Sequence, residues 1–155
     1  MIWNGDRPTA QIRSPACRRI PVVISALAAA FVITSSAFHT GATIPKRFTC
    51  DGANTSPPLR WTAPPRGTAS FSLTVFDPDA PGGGFLHWQI SRLPARARSV
   101  PVGSHLGGPN GAGQAGYTGP CPPSGTHHYR FTLRALGPTG KVLATARLVG
   151  LYTRR

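Results

Sequence analysis

The stretch HHYRFTLRAL, His127 to Leu136, decides how this chain folds. Tyr129, Phe131, Leu133 and Ala135 fall on every second position, whereas Arg130, Thr132 and Arg134 occupy the alternate ones. Successive Cβ atoms of a strand point to opposite sides of its sheet, so this pattern predicts a strand with one apolar and one polar face. His127 shares the apolar face and His128 does not. Two further segments repeat the pattern. In Ala69–Asp77, the residues Ala69, Phe71, Leu73 and Val75 share a face that ends on Asp77. In Leu86–Leu93, strict alternation puts Leu86, Trp88 and Ile90 on one face and His87, Gln89 and Ser91 on the other.

Working outward, Phe31–Phe38 is β-branched and aromatic and reads as a first strand. Residues 39–68 read as loop, punctuated by Asp51-Gly52 and Pro57-Pro58. Lys141–Tyr152 reads as a strand or as a short helix leading into one. Gly and Pro total 35 of 155 residues (18 and 17), so no helix longer than about two turns is expected. The fold class is therefore mainly β.

The chain carries 17 Lys and Arg against 4 acidic residues, a formal net charge of +13. That balance favours anionic partners in general. No zinc-finger spacing, aromatic RNA-binding signature or basic helix points to nucleic acid. The only dinucleotide-like motif, Gly111-Ala-Gly-Gln-Ala-Gly116, runs into Gly119-Pro-Cys-Pro-Pro123, where the prolines forbid the helix such a motif must open.

Near the start, basic residues Arg7, Arg13, Arg18 and Arg19 precede Ile20–Ile33, a run too short to cross a bilayer. It reads as a secretory leader over residues 1–30, with export to the periplasm or outside the cell. The alternative is an internal buried strand in a cytoplasmic protein. Residues 31–155 form the folded domain. If Cys17 leaves with the leader, Cys50 and Cys121 remain as an even pair, either a disulfide or two buried thiols.

Chemistry concentrates at strand ends. A polar side chain on a core-facing register needs a partner, because unpaired burial costs roughly 1–3 kcal/mol. Asp77 and His127 supply each other or a ligand. Asp77 and Asp79 also read as turn caps of the Asx type. A hydrolase triad of Ser124, a histidine and Asp77 lacks the strand-to-helix elbow such nucleophiles sit on. A metal site of His87, His127 and Cys121 matches no standard zinc spacing. No metal and no cofactor is expected.

Four motifs in order carry a resemblance: Ile44-Pro-Lys-Arg-Phe-Thr-Cys-Asp-Gly-Ala-Asn54 with Ser56-Pro-Pro58; Asp77-Pro-Asp-Ala-Pro81; His87-Trp88; and Gly116-Tyr-Thr-Gly-Pro-Cys-Pro-Pro-Ser-Gly-Thr-His-His-Tyr129. They cover most of residues 31–136. The chain resembles the phosphatidylethanolamine-binding protein family, in its bacterial, Raf-kinase-inhibitor-like branch. The resemblance implies an antiparallel β-sandwich with few short helices and a small anion pocket at one end. It implies that Asp77, His87, His127 and Tyr129 line the pocket, with Pro81, Tyr117, Gly119, Cys121 and Pro123 in its neighbourhood. The implied function is non-enzymatic binding of a small anion or phosphorylated headgroup. An inhibitor docking on a kinase or protease, and a homodimer, are the further partners it suggests. The chain departs from the family at Gly137–Gly140, where a helical segment is reduced to Gly-Pro-Thr-Gly and the domain is shortened near 137–141. It departs again at Asn110–Gly113, which lacks an acid and an aromatic ring. The first puts the pocket's rim and any dimer contact in question, the second a pocket-side contact.

Overall fold

The computed structural model describes Met1 and residues 29–154. Seven strands form two antiparallel sheets. The smaller sheet has the order β1-β2-β5, from β1 (Ile33–Thr34), β2 (Leu59–Trp61) and β5 (Ser99–Val100). The larger has the order β4-β3-β6-β7, from β3 (Ser70–Asp77), β4 (Phe85–Pro94), β6 (Thr126–Leu136) and β7 (Val142–Thr153). A single 3-10 turn at Lys46–Phe48 is the only helical element among the described residues.

The three strands expected in the middle of the chain form where periodicity places them. Phe71, Leu73, Val75, Tyr129, Phe131, Leu133 and Ala135 are buried on the inner face. They meet Leu59 and Trp61 of the smaller sheet, where Trp61 packs edge-on against Phe71 at 5.4 Å between centroids. Large aromatic side chains supply much of a core's stabilisation, about 1.5–3 kcal/mol each when fully buried.

Two expectations need correction. Only Ile33 and Thr34 of the Phe31–Phe38 run pair as strand, because the partner segment β2 is three residues long. The loop reading of 39–68 missed β2, whose short Leu-Arg-Trp alternation lies next to Pro57-Pro58 and gives little period to detect. β5, two residues long, was likewise invisible. Of the two readings of 141–152, the strand is the one that forms, over Val142–Thr153. β7 pairs with β6 from Leu136↔Val142 to Thr126↔Thr153, and a helix there would leave that edge of β6 unpaired. The expected leader lies almost entirely outside the described residues.

The Gly137–Gly140 segment is a tight hairpin. Gly137 N–H donates to Lys141 O at 2.8 Å and Gly140 N–H to Gly137 O at 3.0 Å. It sits at the Leu136 end of β6, beside Ser70 of β3. His127 lies at the other end of β6, nine residues away, about 30 Å at strand rise. The hairpin and the His127 end of the sheet therefore lie far apart.

Candidate functional site

β3 delivers Asp77 at its last position and β6 delivers His127 at its second. Both side chains continue apolar faces and both are buried. His127 Nδ1–H donates to Asp77 Oδ2 at 2.7 Å, while Asp79 N–H donates to Asp77 Oδ1 at 2.9 Å. Asp77 thus closes an Asx turn and anchors a histidine at once. The neighbouring pair repeats the arrangement outside. His128 gives its backbone N–H and its Nδ1–H to Asp79 Oδ2, at 2.8 and 2.7 Å, on an exposed surface. These bonds hold the Asp79 carboxyl below its ordinary range.

His87 arrives by a different route, and strict alternation misplaces it. Val75 pairs with Trp88 but Phe76 pairs with Leu86, so His87 is the extra residue of a β-bulge. The bulge lets His87 and Trp88, adjacent in sequence, both become buried. His87 Nδ1–H donates to Thr118 O at 2.8 Å, and Thr118 N–H returns a bond to His87 O at 2.9 Å. The ring stands edge-on to Tyr129 at 5.1 Å and to Phe85 at 4.7 Å. Burial lowers the pKa of this imidazole, against the opposing pull of the Thr118 carbonyl and of Asp77.

The Gly119-Pro-Cys-Pro-Pro123 loop closes the site. Cys50 and Cys121 are disulfide-bonded, with Cα atoms 5.5 Å apart. Cys50 N–H donates to Pro120 O, Gly119 N–H to Asn54 Oδ1 at 2.7 Å, and Tyr117 Oη–H to Phe48 O at 2.8 Å. The segment Phe48–Asn54 is thereby stitched to the loop along its whole length. Gly119 is required for that closeness. A Cβ there would lie 2.5 Å from Phe48 O and 2.7 Å from Asn54 Oδ1.

The result is a cleft of about 310 Å³, lined by Asp77, Pro81, His87, Gly119, Cys121, Pro123 and His127 together with Ala80, Phe85, Thr118 and Pro122. That volume suits a small molecule. Seven of the nine sequence-expected residues line it. Tyr117 and Tyr129 do not. Tyr117 turns its ring onto Trp88 at 5.4 Å and braces the loop from behind. Tyr129 is fully buried behind His87, and its hydroxyl has no hydrogen-bond partner. Burial, then the Asp77 charge, push that hydroxyl well above its ordinary range, so it stays protonated. Phe85 is the main residue sequence reasoning missed. Its ring lies over Gly111, where a Cβ would come within 2.9 Å of it. Asn110 meanwhile caps its own loop, accepting from Ala112 and Gln114 N–H and donating to Gly116 O. The segment that lacks an acid and a ring is thus closed by Asn110, and Phe85 supplies an aromatic wall.

The alternative chemistries are not assembled. Ser124 is exposed and does not line the cleft. Cys121 is held in the disulfide and offers no thiolate to a metal. No group of three metal-ligating side chains occurs among the described residues.

A two-sheet antiparallel sandwich with a histidine-and-aspartate cleft at one end places the chain in a class of cleft-bearing β-proteins. The family model described as phosphatidylethanolamine-binding protein matches residues 34–153, and the chain belongs to that family. It is similar to the UPF0098 protein YbcL of Escherichia coli, 42% identical over 134 residues that cover 74% of this chain and 73% of that protein. The crystal structure of E. coli YbcL, titled a new member of the mammalian PEBP family, superposes with a TM-score of 0.75 at 33% identity, covering 81% of this chain and 99% of that one. A structure from Chlamydia trachomatis, titled as a homologue of the family, gives 0.75 at 35% identity over the same shares. LppC of Mycobacterium tuberculosis, whose name suggests a lipoprotein, is 48% identical over 108 residues, 65% of this chain and 53% of that protein. The chain spans about half the length of the first curated relatives it matches.

Proposed function

We propose that the cleft binds a small oxyanion, a phosphate or the phosphorylated headgroup of a lipid, by hydrogen bonding without turnover. The observation that carries this reading is the state of the two imidazoles. Both give their Nδ1–H to fixed protein acceptors, Asp77 Oδ2 and Thr118 O. In each ring Nε2 is then the nitrogen left for a ligand, and both rings line one cleft. A neutral imidazole so fixed offers Nε2 as an acceptor, to the proton of a monoprotonated phosphate. A protonated one offers a charge-assisted donor, which makes shorter and stronger bonds to anion oxygens. Either way the ligand must bring one oxygen to each ring, which a tetrahedral phosphoryl group does.

The charge of +13 supports the reading by drawing anions to the surface. The disulfide beside the cleft supports export, since such bonds persist in oxidising compartments. The lipoprotein name of one relative supports it too. No helix among the described residues is long and apolar enough to cross a membrane.

Imidazole nitrogen NMR during a titration with inorganic phosphate tests the proposal. The Nε2 resonances of His87 and His127 are expected to move together, with those of His39, His105 and His128 unmoved. Phosphate saturation that leaves both cleft resonances in place overturns it.

A further inference from the structure

The outer face of the four-stranded sheet is a second, unabsorbed feature. A shallow depression of about 480 Å³ lies on it, lined by Thr74 and Phe76 of β3, Arg130, Thr132 and Arg134 of β6, and Arg147 and Val149 of β7. Arg130 pairs across from Val149, Thr132 from Arg147 and Arg134 from Thr145. Arg147 is therefore the diagonal neighbour of both other arginines, at roughly 7–8 Å between backbones. Arg92, exposed at the second bulge of β4, adds a fourth guanidinium at the sheet edge.

Like charges this close repel, and a fold normally intersperses acids among them. Here no described carboxylate remains to do so. Asp51 is bonded to Tyr152 and Arg154, Asp77 to His127, and Asp79 to His128. None of Arg130, Arg134 and Arg147 is ion-paired among the described residues. The chain's own first residues, with Arg7, Arg13, Arg18 and Arg19 against one Asp6, carry the same sign as the face and do not complement it.

We propose that this sheet face docks on an anionic phospholipid bilayer, with Arg130, Arg134 and Arg147 meeting lipid phosphates and Phe76 entering the headgroup region. Two features favour a bilayer over a single polyanionic chain. The face is broad, four strands at about 4.8 Å spacing. Apolar side chains, Phe76 at 36% exposure and Val149, stand among the arginines. Interfacial binding combines these two elements, whereas single-stranded nucleic acid calls for a row of stacking aromatics.

The test is sedimentation of the full chain with vesicles of phosphatidylglycerol in phosphatidylcholine, against vesicles of phosphatidylcholine alone. The variants are Arg130→Gln/Arg147→Gln, Arg134→Gln/Arg147→Gln and His127→Ala. Preference for the anionic vesicles is expected to fall about fivefold per arginine removed, on the order of twenty-five-fold for each pair. It is expected to persist in His127→Ala, and both arginine pairs are expected to keep phosphate binding in the cleft. Undiminished anionic preference in both arginine variants overturns the proposal. So does loss of preference in His127→Ala alone, which would assign vesicle capture to the cleft. Binding of single-stranded DNA by a protein that ignores anionic vesicles would equally overturn it.

Discussion

Asp77 and His127, fifty residues apart in the chain, share a 2.7 Å hydrogen bond between two side chains that both sit on core-facing registers. Asp77 Oδ1 is already committed to the Asp79 amide, so Oδ2 is the atom that fixes the imidazole. The pair thus turns His127 Nδ1 toward Asp77 and leaves Nε2 on the other side of the ring.

Replacing Asp77 by Asn isolates that role. The amide oxygen keeps the Asp79 turn, and the amide nitrogen then faces His127 Nδ1 and moves the ring proton to Nε2. Phosphate affinity is expected to change less steeply with pH than in the unaltered protein between about 5.5 and 8, the remaining slope coming from His87 and from phosphate itself. Unfolding free energy should fall by about 1–3 kcal/mol, as for a buried charged acceptor exchanged for a neutral one. Calorimetric titration at several pH values and urea denaturation report the two effects.

His87 has a pKa lowered by burial, and the sign of its linkage follows. On acidification the unfolded chain binds this proton first, near 6.5, and the folded chain only lower down. The contribution is therefore complete above 6.5 and lost as pH falls through 6.5 toward the folded value. A bound anion raises the folded value again. Melting temperature measured against pH should drop on the acid side, and added phosphate should restore more of it there than at neutral pH.

Gly119→Ala is expected to damage the site without touching a ligand. The new methyl would be driven against Phe48 O and Asn54 Oδ1, so the loop carrying Cys121 and Pro123 must shift. Overpacking of this kind costs about 1–3 kcal/mol. Phosphate affinity should fall together with the melting temperature, whereas a swap at exposed Ser124 should change neither.

The Cys50–Cys121 bond closes a loop across 71 positions. By the chain-entropy account its loss costs about 4 kcal/mol of stability. Cys50→Ser/Cys121→Ser should lower the urea midpoint accordingly, and should weaken anion binding, because the disulfide ties a cleft wall to the Phe48–Asn54 segment.

The long strands β3, β6 and most of β4 were legible because burial on one face imposes a period of two over eight to eleven residues. His127 and the exclusion of His128 followed from that period alone. His87 did not, since one inserted residue reverses the facing, and no local signal marks a bulge in Leu-His-Trp-Gln. The two- and three-residue strands of the smaller sheet are too short to show any period. Tyr129 lies on the face alternation gives it, but one layer behind the cleft. Alternation gives the side a residue faces and says nothing about what stands in front of it, which here is the His87 ring.

The central claim is that His87 and His127 jointly hold a phosphoryl group. Its most direct test is isothermal titration of phosphoryl-ethanolamine into the protein at about pH 5.5 and about pH 8, with His87→Ala and His127→Ala alongside. The account predicts one site that weakens at the higher pH and is lost in either variant, each still folded. Absence of binding by the folded protein at the lower pH, or binding undiminished in both variants, would contradict it.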